Sequence, residues 1–380
     1  MELELRHDHG IPYVRVRLGR DPLTGQPRRV MKTFAGMSDA EALEAARTWY
    51  EKVTRATLGD ALELYLETKR TPNTRRTYGM YARRYAADLA KTPVEDVTVA
   101  MLNRLFLRLM DGGADGERPL SATTVNGFKQ FLQGAWNFFV NNGLADHNVA
   151  KETIRMQTKH YEGVALDDAS LSVLLKYVDS ELEKNPTDNL GRLHRNAAFA
   201  VWLALVTGTR AGEVCALRRQ DVIPRIATLS VNGSVSTLDG RAERQDHTKG
   251  KRSRSITLEP DDLARIREHE RWQDGYLDHA GPATPLVTID GSHLKPKCLS
   301  DQFRRIRREL GLDEKYHFHS LRHTHATYLL QAHVDPRTVQ ERLGHAAAST
   351  TLNTYAHAMP GRDAEAARSI NETFREIRQW

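Results

Sequence analysis

Apolar and polar residues alternate near the start of the chain, and the spacing becomes helical after residue 38. Residues 13–17 read Tyr-Val-Arg-Val-Arg, and a second extended run covers residues 28–34 beyond a turn at residues 21–25. Ser38 precedes a segment whose apolar residues recur at three- and four-residue steps, which is where a helix N-cap is expected. The pattern predicts a small sheet of three short strands with one helix over residues 1–55.

Helical spacing then dominates as far as residue 143. Four segments, at residues 57–67, 71–89, 97–110 and 121–143, each open on a threonine or serine, or on a valine beside one. Each segment repeats its apolar residues near the helical period. These segments predict a four-helix domain over residues 57–150.

The remainder predicts a third, mixed region. Residues 148–163 are polar and basic without a clear period, which is typical of an interdomain linker. Beyond them the pattern predicts helices near residues 168–184 and 192–207, extended runs at residues 225–231 and 253–258, and then a long helical region. The fold class predicted is mainly α with small β-sheets: a sheet-plus-helix domain, a four-helix domain and a mixed α+β domain over residues 163–380.

Composition narrows the class of protein. The chain has 380 residues, which allows two or three domains, and a formal net charge of +6, which permits a polyanionic partner. Cys215 and Cys298 fit no metal-ligand spacing and are too few for a disulfide scaffold, as expected for a reducing compartment. The sequence has no export signal and no apolar run of about 18 residues, so it predicts a soluble, cytoplasmic protein.

Basic residues cluster on two of the predicted elements. The candidate DNA-binding residues on the sheet are Arg15, Arg17, Arg28, Arg29 and Lys32, and those on the second helix of the bundle are Arg75, Arg76, Arg83 and Arg84. These side chains could contact phosphates. A solvated charged face and a salt-bridged surface helix are the alternative interpretations.

Two arginines stand in apolar surroundings. Arg210 lies in the stretch TGTRAGEVCAL, which the pattern predicts to be helical, and Arg322 lies beside His319 in HFHSLRHTHATYLL. Because burying a guanidinium is costly unless it is paired, an anionic group is expected close to Arg210.

A short helix is bracketed by sequence signals near the end of the chain. Asp335, Pro336 and Gly344 occupy its N-cap, N1 and C′ positions, which leaves His345 just beyond its end. A following helix carries Tyr355. Arginines, a lysine, histidines and a tyrosine, with no carboxylate cluster for a metal, form a set suited to phosphoryl transfer.

Six residues, in order and spacing, resemble the signature of the tyrosine recombinases, the phage integrase family. They are Arg210, Lys249 in TKGKRSRSITL, His319, Arg322, His345 and Tyr355. The likeness extends to residues 1–55, which resemble an arm-type DNA-binding domain, and to residues 57–150, which resemble the core-binding domain. Where the family often has Asn-Pro after the core-binding domain, this chain has Asn148 followed by Val149.

The resemblance implies a role for each residue. Arg210 and Arg322 would hold the nonbridging oxygens of the scissile phosphate, and Tyr355 would attack it to form a 3′-phosphotyrosine. Lys249 would protonate the departing 5′ oxygen, with Lys251 as the alternative.

The resemblance also assigns supporting roles. His319 would assist proton transfer, His345 would donate to the phosphate, and Glu213 would orient the arginines from behind. No metal or cofactor is implied. The partners implied are double-stranded DNA with core and arm sites, three further subunits in a homotetramer on DNA, and a directionality factor or host DNA-bending protein.

Other interpretations remain open at this point. Four histidines could converge on zinc, and they are His317, His319, His323 and His325. A type IB topoisomerase would share the phosphotyrosine chemistry, and a DNA-binding protein without activity or a chromosome-dimer resolvase are further alternatives. The arm-like first domain favours the integrase of a phage or mobile element.

The tail carries one apolar stripe. Its members, at three- and four-residue steps, are Ala364, Ala367, Ile370, Phe374 and Ile377. They predict a helix over residues 362–378, which either packs on its own domain or docks on a neighbouring subunit.

Overall fold

The computed structural model describes residues 4–20, 27–54, 56–112, 118–158, 163–238, 240–246 and 253–344, together with residues 368, 370–372, 374, 375 and 377 of the tail. The chain forms two compact units, residues 1–159 and residues 160–380. In the described part of the chain, no helix is both long and apolar enough to cross a membrane.

The first unit begins with the predicted sheet and helix. Strands β1 (Arg6–Asp8), β2 (Ile11–Arg20) and β3 (Pro27–Thr33) form an antiparallel sheet in that order, and α1 (Asp39–Thr54) follows. Val14 is buried with Phe34 and with two alanines of α1, in a small core of their own. Since side chains alternate along a strand, Arg15 lies on the exposed face.

Four α-helices follow in the described residues of this unit, as the sequence predicts. They are α2 (Leu58–Glu67), α3 (Pro72–Met80), α4 (Val99–Asp111) and α5 (Ala122–Asn141), and α3 continues into a π-helical turn at Tyr81–Tyr85. The side chains of Thr57, Thr98 and Ser121 accept a hydrogen bond from the third backbone amide of α2, α4 and α5, respectively. These caps explain why the helices begin where they do.

Residues 148–158 pack onto the bundle. The side-chain amide of Asn126 bonds to the backbone of Met156 in both directions, at 2.9 and 3.0 Å, and Asn103 accepts from the amide of Ile154 at 2.9 Å. Val149 and Ala150 are buried in the core of the bundle. The polar, aperiodic pattern from which we predicted a linker therefore reflects, in this part, a segment held by side chain to backbone hydrogen bonds.

The second unit is built around α7. Its helices are α6 (Asp168–Glu183), α7 (Asn189–Thr207), α8 (Ala211–Ala216), α9 (Pro260–Asp274), α10 (Pro296–Glu309), α11 (Phe318–Gln331) and α12 (Pro336–Leu343). The second half of α7 is apolar on most sides, and Phe199, Leu203 and Ala204 are fully buried. A helix apolar on most of its surface belongs in a core.

The described residues of this unit also form two small sheets. Strands β4 (Val222–Ile223), β5 (Thr228–Val231) and β8 (Arg254–Thr257) form one antiparallel sheet in that order, and β6 (Ser234–Leu238) pairs with β7 (Arg241–Gln245) in a hairpin. The predicted extended runs correspond to β5 and β8. The hairpin was not predicted, although the Asp-Gly pair between its strands is a strong hairpin signal.

Candidate active site

Arg210 lies between two helices. Gly208 ends α7 in the left-handed conformation at φ +65°, and Arg210 is the extended N-cap residue of α8. The prediction that Arg210 lies within a buried helical stretch is therefore wrong, because the glycine breaks the helix, and 30% of the arginine side chain is exposed. This position gives the guanidinium access to solvent and to a ligand.

The anion expected near Arg210 is Glu213, one turn into α8. Its side chain is 1% exposed. Each of its two carboxylate oxygens accepts hydrogen bonds from two N–H groups. Oε1 accepts from Arg210 Nη1 at 2.8 Å and Arg254 Nη1 at 3.3 Å, while Oε2 accepts from the Arg210 amide at 3.0 Å and Arg254 Nη2 at 2.7 Å. Burial acts to raise the pKa of this carboxyl, but the hydrogen bonds and charge of Arg254 and the charge of Arg210 outweigh it and lower the pKa to about 2.

Arg254, on β8, was not among the predicted site residues. Besides Glu213, it binds the end of α12, since its Nε donates to the carbonyl of Arg342 at 2.8 Å. Gly344 allows this contact, because a Cβ there would lie 3.0 Å from Arg254 Cδ. The signal in the sequence was strand alternation, which places Arg254 on the same face as the buried Ile256.

Arg322 is the buried cation that the sequence predicts. It is 1% exposed, and it donates from Nη1 to the carbonyl of Gly208 and from Nη2 to that of Leu343, both at 2.7 Å. These carbonyls end α7 and α12, where the helix dipoles are negative. Arg322 thus joins the segment that leads into Arg210 to the segment that leads into His345.

Arg342 provides a further connection between α12 and α7. It donates from Nη2 to the carbonyl of Val206 at 3.0 Å and from Nε to His325 Nε2 at 3.2 Å. Because an arginine only donates, His325 Nε2 must accept, which leaves the ring proton on Nδ1, 2.7 Å from the carbonyl of Leu205. Burial first, and then the charge of Arg342, lowers the pKa of His325 to about 4, so this ring is neutral.

The other three histidines of the group that could converge on zinc differ in exposure. His317 and His319 are exposed at the start of α11, and the ring of His319 meets that of the buried His323 edge-on at 4.8 Å. A cavity of about 300 Å³ is lined by both exposed histidines and by Ala211, the neighbour of Arg210. His319 and the start of α8 therefore face the same space.

The zinc interpretation gains no support from these positions. His325 is directed at α7 rather than at the other histidines. Among the residues that the structure describes, no group of three or more histidine, cysteine or acidic side chains could hold a metal ion.

Comparison with known proteins tests the resemblance. Residues 191–362 match the model of the phage integrase family, and all six signature residues lie in that span. A tyrosine recombinase XerC-like protein of Caldanaerobacter subterraneus subsp. tengcongensis is 26% identical over 394 residues, which cover 95% of this chain and 96% of the relative. These findings support a tyrosine recombinase. They support an enzyme that cleaves and rejoins DNA.

Solved structures show the same fold. A Tn1549 transposon integrase in complex with a circular intermediate DNA aligns with a TM-score of 0.66 at 18% identity, over 83% of this chain and 99% of that chain. A lambda integrase tetramer bound to a Holliday junction aligns with a TM-score of 0.58 at 19% identity, over 92% and 96% of the two chains. The mainly α fold with small sheets is confirmed.

Three of the six signature residues of this recombinase can be placed. Arg210, His319 and Arg322 lie around the start of α8, as described above, and Glu213 lies behind Arg210. The other residues predicted to act in catalysis fall outside the described parts of the chain, and they are Lys249, Lys251, His345 and Tyr355. The cap at Asp335 and the left-handed Gly344 bound α12 as predicted, one residue before His345.

The predicted DNA-binding residues of the recombinase lie on the first unit. Arg17 on β2 is the register partner of Arg29 on β3, and Arg28 precedes Arg29 on the same strand. Arg15 and Lys32, on the same two strands, are exposed.

The four candidates on the bundle are also exposed, but their contacts differ. Arg75 and Arg76 lie on α3, and Arg83 and Arg84 lie on the π-helical turn that follows it. Arg83 binds Glu63 through two hydrogen bonds of 3.0 and 3.2 Å, the arrangement of the alternative interpretation. DNA binding by these residues remains a prediction.

Proposed function

We propose that this tyrosine recombinase is the integrase of a phage or mobile genetic element, which acts on DNA through a covalent 3′-phosphotyrosine at Tyr355. The observation that carries the proposal is the joint placement of the two arginines. Arg322 binds Gly208, two residues before Arg210, while Glu213 holds Arg210 at the start of α8. Two guanidinium groups held at one segment of the chain, that of Arg210 being part-exposed, suit the oxygens of one phosphate.

The reaction consists of two transesterifications. The hydroxyl oxygen of Tyr355 attacks the scissile phosphorus as its proton passes to His319. The bond to the 5′ oxygen breaks, and Lys249 donates a proton to that leaving oxygen. Arg210 and Arg322 hold the nonbridging oxygens as charge develops on them, with His319 and His345 assisting. Rejoining reverses these steps, with a 5′ hydroxyl from another strand attacking the phosphotyrosine and Tyr355 leaving.

The charge that stabilises this transition state comes from the protein. Arginine stays protonated at any working pH, so two guanidinium groups can neutralise a phosphorane without a divalent ion. We expect cleavage to continue in excess EDTA, and no cofactor is required.

The partners proposed are double-stranded DNA and further copies of the chain. Residues 1–55 would bind arm sites and residues 57–150 core sites, and a directionality factor or host DNA-bending protein would act with them in the cytoplasm. The tail bears on assembly, because Ile370, Phe374 and Ile377 lie in helical residues and are 48%, 50% and 62% exposed. An exposed apolar stripe of this kind suits docking on a neighbour in a tetramer.

The test is covalent capture on DNA. A nicked duplex with the sequence that flanks the gene should trap wild-type protein as an adduct on a denaturing gel, whereas Tyr355→Phe should bind the duplex and form no adduct. An adduct that persists in Tyr355→Phe would show that another residue is the nucleophile. Relaxation of supercoiled DNA without recombinants from paired sites would instead indicate a topoisomerase.

A further inference from the structure

Among the residues that the structure describes, three charged groups are joined by hydrogen bonds at the start of α8, and their charges do not cancel. Glu213 carries one negative charge, and Arg210 and Arg254 carry one positive charge each. The side chain of Arg254 is 8% exposed and that of Arg210 is 30% exposed. The cluster therefore has one surplus positive charge, and the more exposed arginine is the one placed to offer it.

The hydrogen bonds also hold Arg254 more firmly than Arg210. Both Nη atoms of Arg254 donate to the carboxylate, and its Nε donates to the carbonyl of Arg342, so the guanidinium is fixed on three acceptors. Arg210 gives the carboxylate only Nη1 from its side chain. A phosphate could therefore recruit Arg210 more readily than Arg254.

We propose that Arg254 is a positioning residue of this active site, which holds the charge of Glu213 so that the charge of Arg210 remains available to the scissile phosphate. The inference rests on the proposed function, since it assumes that Arg210 meets a phosphate. Without Arg254, a buried carboxylate would face Arg210 alone, and the pair would be neutral. Part of the electrostatic stabilisation of the transition state would then be lost.

Arg254 also connects this charge cluster to α12. Its bond to the carbonyl of Arg342 and its contact with Gly344 hold the last residues before His345 against β8. One side chain thus sets both the charge beside Arg210 and the position of the segment that leads toward His345.

The decisive experiment is a charge-rescue series measured by adduct formation on the nicked duplex. Arg254→Met should slow adduct formation by about 10–100-fold, the usual range for a group that supports a site from behind. Glu213→Gln in the same chain keeps an acceptor for the Arg210 amide and restores the surplus positive charge. We therefore expect the double variant Arg254→Met/Glu213→Gln to cleave several-fold faster than Arg254→Met.

Two further variants separate charge from packing. Arg254→Lys keeps the charge but not the fork, so it should cleave faster than Arg254→Met. Arg265→Met, a matched substitution of an arginine that pairs with Asp179 on the surface, should cleave at the wild-type rate. The proposal is wrong if Arg254→Met cleaves like wild type, or if the double variant is no faster than the single one, because a purely structural defect gains nothing from losing a second contact.

A measurement on the free protein tests the same inference without DNA. In a carboxyl NMR titration of Glu213, Arg254→Met should raise the pKa more than Arg210→Met does, since Arg254 is the stronger partner. An equal or larger rise in Arg210→Met would overturn the assignment. If wild-type protein forms no adduct, the proposed function fails, whereas the titration still decides the role of Arg254 toward Glu213.

Discussion

Arg83 in the first unit and Arg322 in the second unit of this recombinase serve opposite purposes. In the first unit, Arg83 pairs with Glu63 on the surface with 69% of its side chain exposed, whereas in the second unit Arg322 is 1% exposed and binds two helix ends. A surface pair costs little to make and contributes little to stability. A buried guanidinium is tolerated only if its N–H groups are satisfied, so its position is tightly determined. The difference indicates that Arg322 fixes a geometry inside the second unit, while Arg83 is presented on the surface of the first.

The largest effect is expected from removing the buried arginine. Arg322→Ala leaves the carbonyls of Gly208 and Leu343 without their charged donor and opens a cavity, so it should lower the free energy of unfolding of the second unit by about 3–5 kcal/mol. Denaturant unfolding measures this loss. Arg337→Ala, on the exposed face of α12, is the control and should change little. A loss below about 1 kcal/mol in Arg322→Ala would contradict a structural role for the buried cation.

The next largest effect is expected from acid, which should lower the folding stability of the second unit more than that of the first. In the second unit, burial lowers the pKa of His269 to about 3 and that of His325 to about 4, whereas the histidines among residues 4–158 are all exposed. The unfolded chain takes up protons on these residues near pH 6.5 and the folded chain does not, so folding stability falls as the pH drops from about 6.5 toward 4.

The expected slope is at most about 1.4 kcal/mol per pH unit for each such histidine. Hydrogen exchange of the two units at pH 7 and pH 5 measures it, and His325→Gln, which keeps a side-chain acceptor, should reduce the pH dependence. Glu213 would add a separate loss between about pH 4.5 and 2, because its pKa is lowered. Equal acid sensitivity of both units would remove this distinction between them.

The smallest effect is expected at the surface pair. Arg83→Ala should change the free energy of unfolding by less than about 0.5 kcal/mol, because the pair is solvated. Measuring the effect of Arg83→Ala on DNA binding distinguishes more sharply between a phosphate contact and a surface ion pair. If Arg83 contacts a phosphate, the slope of log affinity against log salt should fall by about 1, and Glu63→Gln should not reduce it. An unchanged slope would leave Arg83 as a surface ion pair only.

Local signals in the sequence determined where several helices begin and end and which family the chain resembles. Ser121 and Thr98 mark helix starts, and Asp335 and Gly344 bound α12, because a cap acts within one turn of the chain. The order of Arg210, His319 and Arg322 also indicated the family. These features depend on neighbours a few residues apart, and the pattern of the chain records them directly.

The tertiary structure decided the hydrogen-bond partners and the exposure of the arginines in the site. Arg254 binds Glu213, which is 41 residues away, and Arg342, which is 88 residues away. The exposure of Arg210 depends on how the chain turns at Gly208, and the packing of residues 148–158 depends on asparagines of α4 and α5. Hydrogen-bond partners so far apart in the chain leave no periodicity. They meet only because the fold packs β8 against α12 and brings the Arg254 side chain within reach of α8.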